Sequence, residues 1–188
     1  MSIRIEPLRA DDEAALRDAA ELLFDGFRED WPNAWPDLES ALEEASECTR
    51  GDRSAWIARD EDGHVVGWIG AIRMYDGKVW ELHPMVVRSD LRGRGIGRAL
   101  VHELARQARA EGALTLFLGT DDENDRTTLG GADLYPGVLD KLRELRDLRG
   151  HPFTFYQRMG FEVAGVIPDA NGPGKPDILM AKSLRDPS

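Results

Sequence analysis

A strand-like apolar run that contains a proline, followed by three alternating glycines, constrains the fold more than any other feature. The run is Val79-Trp80-Glu81-Leu82-His83-Pro84-Met85-Val86-Val87, and the glycines lie in Arg92-Gly93-Arg94-Gly95-Ile96-Gly97-Arg98. Its β-branched and aromatic content predicts a buried strand. Proline cannot donate to a ladder, so Pro84 predicts a bulge where pairing is already broken. The strand should therefore split near Pro84 and leave the N–H groups of Met85, Val86 and Val87 open toward a cleft, where a ligand could supply acceptors. Ile96, Leu100, Leu104 and Ala108 then share one face of a helix. Glycines at alternate positions let amides converge at that helix's N-terminus, which favours anions. Arg92 and Arg94 in the turn add charge for a phosphate-bearing ligand. The same residues would also suit a plain strand-to-helix turn with surface arginines. A dinucleotide GxGxxG fingerprint fails on spacing, because Arg98 stands where the last glycine is needed.

The chain has 188 residues, of which 24 are basic and 35 acidic, for a net charge of −11. Its length and ordinary apolar content predict a single domain over 1–188, and the strands and helices read below make it α/β. Such a field repels nucleic acid and anionic membrane and draws cations. The longest apolar run, near Leu114 to Leu118, is too short to span a membrane. The N-terminus carries no signal-peptide pattern, and the single cysteine, Cys48, excludes an internal disulfide framework. Both features point to the cytoplasm. Cys48 reads as a buried small hydrophobe. The four histidines show no metal-ligand spacing, and His102-Glu103-Leu104-Ala105-Arg106 lacks the second histidine of HExxH, so no metal is expected.

Periodicity and turn residues predict the remaining elements. A short strand holds Ile3 and Ile5. Asp11 or Asp12 caps a helix running to Phe24, with Leu16, Ala19, Ala20, Leu23 and Phe24 inward. Trp31-Pro32-Asn33-Ala34-Trp35-Pro36 is a stiff loop before an acidic helix from about Asp37 to Cys48. Strands at 54–59 and 64–75 meet at the turn Asp60-Glu61-Asp62-Gly63, and Asp76-Gly77 turns into the split strand. Ala113 to Gly119 is the next strand, parallel to the split one because a helix crosses over. Residues 120 to 150 form an irregular insertion with a helix from about Pro136 to Leu148. A last helix covers His151 to Met159, a strand follows Phe161, and Asp177 to Ser183 closes the sheet.

Several side chains invite chemistry. Glu81 lies inside an apolar strand, where a carboxylate is costly unless it is paired or faces a wet cleft. It could bind a cationic acceptor and take its proton, since an amine of pKa about 10 must lose one before attacking. His83 shares its side of the strand by period two and lines the same site or orders Glu81, although a purely structural histidine fits equally well. Trp31 and Trp35 either pack on the domain edge or line the acceptor site, and Tyr75 is placed on the same substrate side. Asp121 and Asp122 follow the C-terminal end of the parallel strand, where open sheets bind ligands. Solvated loop residues are the other reading for them. Tyr156 follows Phe153 and Phe155 and could be plain core.

The pattern Arg92-Gly93-Arg94-Gly95-Ile96-Gly97 after a strand ending in Val87 resembles the signature of the GCN5-related N-acetyltransferases, the GNAT superfamily. That resemblance implies a mixed sheet of about six to seven strands with a split central strand, flanked by about four to five helices. It implies that Met85, Val86, Val87 and the turn from Arg92 through Gly93, Arg94, Gly95, Ile96 and Gly97 to Arg98 hold acetyl-CoA as co-substrate. The Met85 amide would face the thioester oxygen, and Tyr156, just before Gln157-Arg158-Met159-Gly160-Phe161, would protonate the leaving thiolate.

Trp80-Glu81-Leu82-His83-Pro84, Leu118-Gly119-Thr120-Asp121-Asp122, Asp133-Leu134-Tyr135, His151-Pro152, Phe155-Tyr156, Asn171-Gly172 and Lys175-Pro176-Asp177 look like one branch, the aminoglycoside 6′-N-acetyltransferases. The likeness runs from about Gly67 to Lys182 and implies acetyl transfer to the 6′-amine, often by a homodimer. A polyamine, a small amine or a peptide lysine would leave the same chemistry standing. A non-catalytic module binding acetyl-CoA or a polycation would need neither Glu81 nor Tyr156.

Overall fold

The computed structural model describes residues 2–185, in which seven strands and five helices alternate in the expected sequence. They are β1 (Arg4–Pro7), α1 (Glu13–Phe27), α2 (Leu38–Glu47), β2 (Arg53–Arg59), β3 (Val65–Met74), β4 (Val79–Val87), α3 (Ile96–Ala110), β5 (Thr115–Asp121), α4 (Val138–Arg143), α5 (Phe153–Arg158), β6 (Glu162–Ile167) and β7 (Asp177–Ser183). The strands form one sheet in the order β1-β2-β3-β4-β5-β7-β6, with β5 parallel to β4. The described residues divide into two compact units, 2–116 with 184–185, and 117–183.

In the first unit β1 to β4 form an antiparallel meander. Asp12 caps α1 by accepting from the Ala15 amide at 3.0 Å, and its other oxygen pairs with Arg59 of β2 at 2.7 Å. One aspartate thus ends the loop and fixes where the helix meets the sheet. Ala15, Ala19 and Leu23 of α1, Ala41 and Ala45 of α2, Ile57, Trp68 and Val86 make the core on this side. Small side chains bring α1 close enough for the Trp68 indole N–H to donate to the Ala19 carbonyl at 2.9 Å. α1 continues to Phe27, one turn past the expected Phe24, because the Arg28 amide still bonds back to Phe24. α2 starts from a capping box between Asp37 and Ser40.

In the second unit β6 and β7 pair in an antiparallel ladder, and α5 packs Phe153 and Tyr156 inward. The helix expected from Pro136 to Leu148 is only Val138–Arg143. Downstream backbone groups are used elsewhere: the Thr128 amide donates to Arg146 O, the Leu148 amide to Arg126 O, and Thr128 Oγ1 to Glu144 O. With the Glu144 and Arg146 carbonyls and the Arg146 and Leu148 amides committed across the loop, the helix does not continue through 144–149.

Candidate active site

The split in β4 is a bulge at His83-Pro84. Ile69 faces Met85 and Ala71 faces Leu82, so two residues of β4 stand opposite Gly70 alone. The His83 carbonyl turns toward Gly70, where a Cβ would collide with it and also press on Cys48 Sγ at 3.1 Å. Glycine is required there by close approach. Gly70→Ala is expected to destabilise the protein by about 1–3 kcal/mol through overpacking; an unchanged urea midpoint would show that the carbonyl shifts at no cost.

The phase of the ladder decides which amides stay open. Arg88 N–H donates to Val66 O at 2.9 Å, and Gly67, Trp68 and Ile69 pair with Val87, Val86 and Met85. Bonded and non-bonded pairs alternate, so the Val86 N–H is taken by β3, while those of Met85 and Val87 turn to the opposite side. The expectation of three open amides therefore fails for Val86, whose N–H is used by β3.

Around the bulge the first unit gathers side chains from several elements. Glu81 is half-buried opposite Ile72. The His83 ring lies 6.0 Å from that of Trp35, which meets Phe27 edge-on at 4.8 Å, and Phe27 in turn lies 5.4 Å from Trp31. The Trp31 indole N–H is buried without a protein partner. Cys48 is buried, and desolvation followed by the nearby Glu44 carboxylate pushes its thiol up to about 12, which makes it inert as a nucleophile. Tyr75 is not brought to this cluster. It sits 74 % exposed at the tip of the β3–β4 turn, about 15 Å along the strands from the bulge.

At the far end of β4, Gly93 and Gly95 have φ of +77° and +89°, and Gly95 is the N-cap of α3. No side chain caps this helix, so its first amides have no side-chain acceptor. Arg92, Arg94 and Arg98 are exposed beside it, with Arg92 Nε donating to Val87 O at 3.3 Å. Ile96 is buried and Gly97 half-buried, which anchors the turn to the core. Open amides, helix polarity and three guanidinium groups suit a pyrophosphate.

In the second unit Tyr156 is buried between Phe155 and Phe161, with ring centroids at 5.1 and 5.7 Å. Burial alone lifts its phenol well above the ordinary range, so the proton stays on oxygen at neutral pH. The two aspartates after β5 differ. Asp121 is half-buried and its carboxylate accepts from the Asn171 amide. Asp122 is 1 % exposed and accepts from the amides of Arg126 at 2.7 Å and Thr127 at 2.8 Å and from the Thr127 hydroxyl at 2.7 Å. Its lone pairs fold the loop.

His151 escaped the sequence analysis as an anchor. It is 1 % exposed; Nδ1 accepts from the Phe153 amide at 3.2 Å, so Nε2 carries the proton toward Asp121 O at 3.1 Å. The only signal is a histidine between glycine and proline at the start of a helix. Desolvation holds the imidazole below its ordinary 6.5, opposed by the Asp121 carbonyl and the Asp122 and Asp147 carboxylates. Above 6.5 both folded and unfolded forms are neutral and stability is complete. Below it the unfolded chain takes a proton that the buried ring resists, so stability is lost as pH falls. Urea midpoints should therefore drop between pH 7 and 5 more steeply for the wild type than for His151→Gln; equal slopes would contradict this assignment.

Among the described residues no group of histidine, cysteine and carboxylate side chains could hold a metal ion, and no helix is long and apolar enough to cross a membrane. The model of the Acetyltransferase (GNAT) family matches residues 20–128. An aminoglycoside 6′-N-acetyltransferase crystallised with coenzyme A is similar at 38 % identity and a TM-score of 0.89, over 98 % of this chain and 99 % of that one. The aminoglycoside 6′-N-acetyltransferase from Enterococcus faecium is similar at 39 % and 0.87, with the same coverage. Aminoglycoside 6′-acetyltransferase type Ii follows at 32 % and 0.73, again over 98 % and 99 %. None of the curated proteins compared with the chain matches it.

Proposed function

The chain belongs to the GNAT acetyltransferase family and uses acetyl-CoA to acetylate an amine; we propose that the acceptor is the 6′-amine of an aminoglycoside, which attacks the thioester directly. The observation that carries this reading is the likeness, at 38–39 % identity over 98 % of the chain, to two enzymes of that specificity. The net charge of −11 independently favours a polycationic acceptor.

In this reading Glu81 receives the proton that the ammonium group sheds, directly or through water, and so frees the nitrogen lone pair. A C–N bond forms at the acetyl carbon as the C–S bond breaks. The Met85 amide stabilises charge developing on the thioester oxygen, a contribution commonly worth a few kcal/mol; its direction away from β3 supports that role. Val87, whose amide also points away from β3, offers a second donor to the pantetheine chain, and Val86 contributes packing. The turn from Arg92 to Arg98 holds the pyrophosphate. Tyr156 directs its O–H at the departing thiolate. A buried phenol is a weak acid against a thiol of pKa about 8.5, so its contribution is a hydrogen bond that strengthens as negative charge grows on sulfur.

Asp121 pairs with an acceptor ammonium group, supported by its accessible carboxylate, whereas Asp122 acts through the loop it folds. Trp31 and His83 line the acceptor side. The enzyme works in the cytoplasm, with its one cysteine reduced and buried, as a homodimer, and confers aminoglycoside resistance. Thiol release from acetyl-CoA, followed with kanamycin, spermidine and a lysine peptide, tests the acceptor. Turnover should be confined to kanamycin; turnover with spermidine or peptide alone would keep the chemistry and replace the acceptor.

A further inference from the structure

The bulge is backed by a carboxylate that none of these roles uses. Glu44 of α2 is 15 % exposed, and its Oε1 accepts from Arg53 Nη1 at 3.0 Å and from the Cys48 thiol at 3.3 Å. The same oxygen lies 4.0 Å from His83 Nε2, within ion-pair range and longer than a direct hydrogen bond. A carboxylate so far from solvent is costly unless its lone pairs are used, and here α2, β2 and β4 all converge on it. Arg53 is shared with Glu47 at 3.5 Å, and Cys48 remains a neutral donor. The groups behind the imidazole are therefore Glu44 facing it, the Arg53–Glu47 pair beyond, and the thiol alongside.

His83 itself is 44 % exposed and lies beside the Trp35 indole. A histidine on a strand can otherwise turn about both side-chain torsions. Here the indole flanks the ring and the carboxylate faces one of its nitrogens, leaving the rest of the ring to solvent at the point where β4 splits.

We propose that Glu44 is a positioning residue for acetyl transfer, fixing the His83 imidazole at the split strand so that its exposed part meets the acceptor in one orientation. The proposal rests on the reading of His83 as part of the acceptor wall. Glu44 touches neither acceptor nor acetyl-CoA and acts through His83.

A double-mutant cycle on kcat/KM for the acceptor tests it. Glu44→Gln keeps the shape and removes the charge. It is expected to lower kcat/KM about tenfold, mainly through KM, and to leave acetyl-CoA affinity within about twofold. Glu44→Asp should restore part of the loss. In the His83→Ala background the same substitution should cost less than about twofold, because the group it positions is gone. A full tenfold loss in that background, or an unchanged kcat/KM for Glu44→Gln, would overturn the proposal. The His83 ring Cε1–H resonance gives a readout free of any acceptor: Glu44→Gln should displace it, and Glu47→Gln should not. A resonance unmoved by Glu44→Gln overturns the proposal. A displaced resonance in a protein that turns over none of the amines supports it and discards only the acceptor assignment.

Discussion

Glu81→Gln is expected to lower turnover about a thousandfold while leaving acetyl-CoA affinity within about twofold of the wild type. The substitution preserves size and hydrogen bonding but removes the group that can take a proton. An acceptor amine of pKa about 10 is almost wholly protonated at neutral pH, and an ammonium nitrogen has no lone pair with which to attack. Loss of the base should therefore fall on kcat and be relieved as pH rises toward that of the free amine. In the proposed reading acetyl-CoA is held by the β4 amides and the α3 turn, which Glu81 does not enter. Rates equal to the wild type across pH would remove Glu81 from the mechanism.

Gly95→Asp should weaken acetyl-CoA binding about a hundredfold. Two effects act together. Gly95 sits at φ +89° as the α3 N-cap, where a side chain is strained. An aspartate there would also set a like charge beside the proposed pyrophosphate. Gly95→Ala separates the contributions, because it carries the backbone strain without the charge, and should cost only about tenfold. Unaltered affinity for Gly95→Asp by calorimetry would refute the phosphate cradle.

Much of this site could be read from the chain because it is built from backbone. Pro84 in an apolar strand required a bulge, and the structure has one, with His83 and Pro84 opposite Gly70. Glycines at alternate positions allowed a tight turn into the helix, and Gly93 and Gly95 make one with φ of +77° and +89°. The order of strands and helices followed from turn residues and periodicity. What sequence periodicity does not reveal is which long-range partner a polar group finds. Asp121 and Asp122 look alike in the chain, yet one carboxylate remains accessible and the other folds a loop with Arg126 and Thr127. Glu44 read as one more charge on an acidic helix until Arg53 and His83, distant in sequence, met it. Tyr75 was grouped with the site by residue type, and strand register carries it to the far end of the hairpin. The helix expected up to Leu148 failed for the same reason, since its backbone groups pair with residues 126–128.

The measurement that bears most directly on the central claim compares two aminoglycosides that differ only at the 6′ position, one with an amine and one with a hydroxyl. Thiol release from acetyl-CoA would be followed with each, and the product mapped by NMR. Turnover of the 6′-amine alone, with acetylation at that nitrogen, is the predicted result. Equal turnover of the two, or acetylation at another amine, would contradict the assignment and move the transferred group elsewhere on the acceptor.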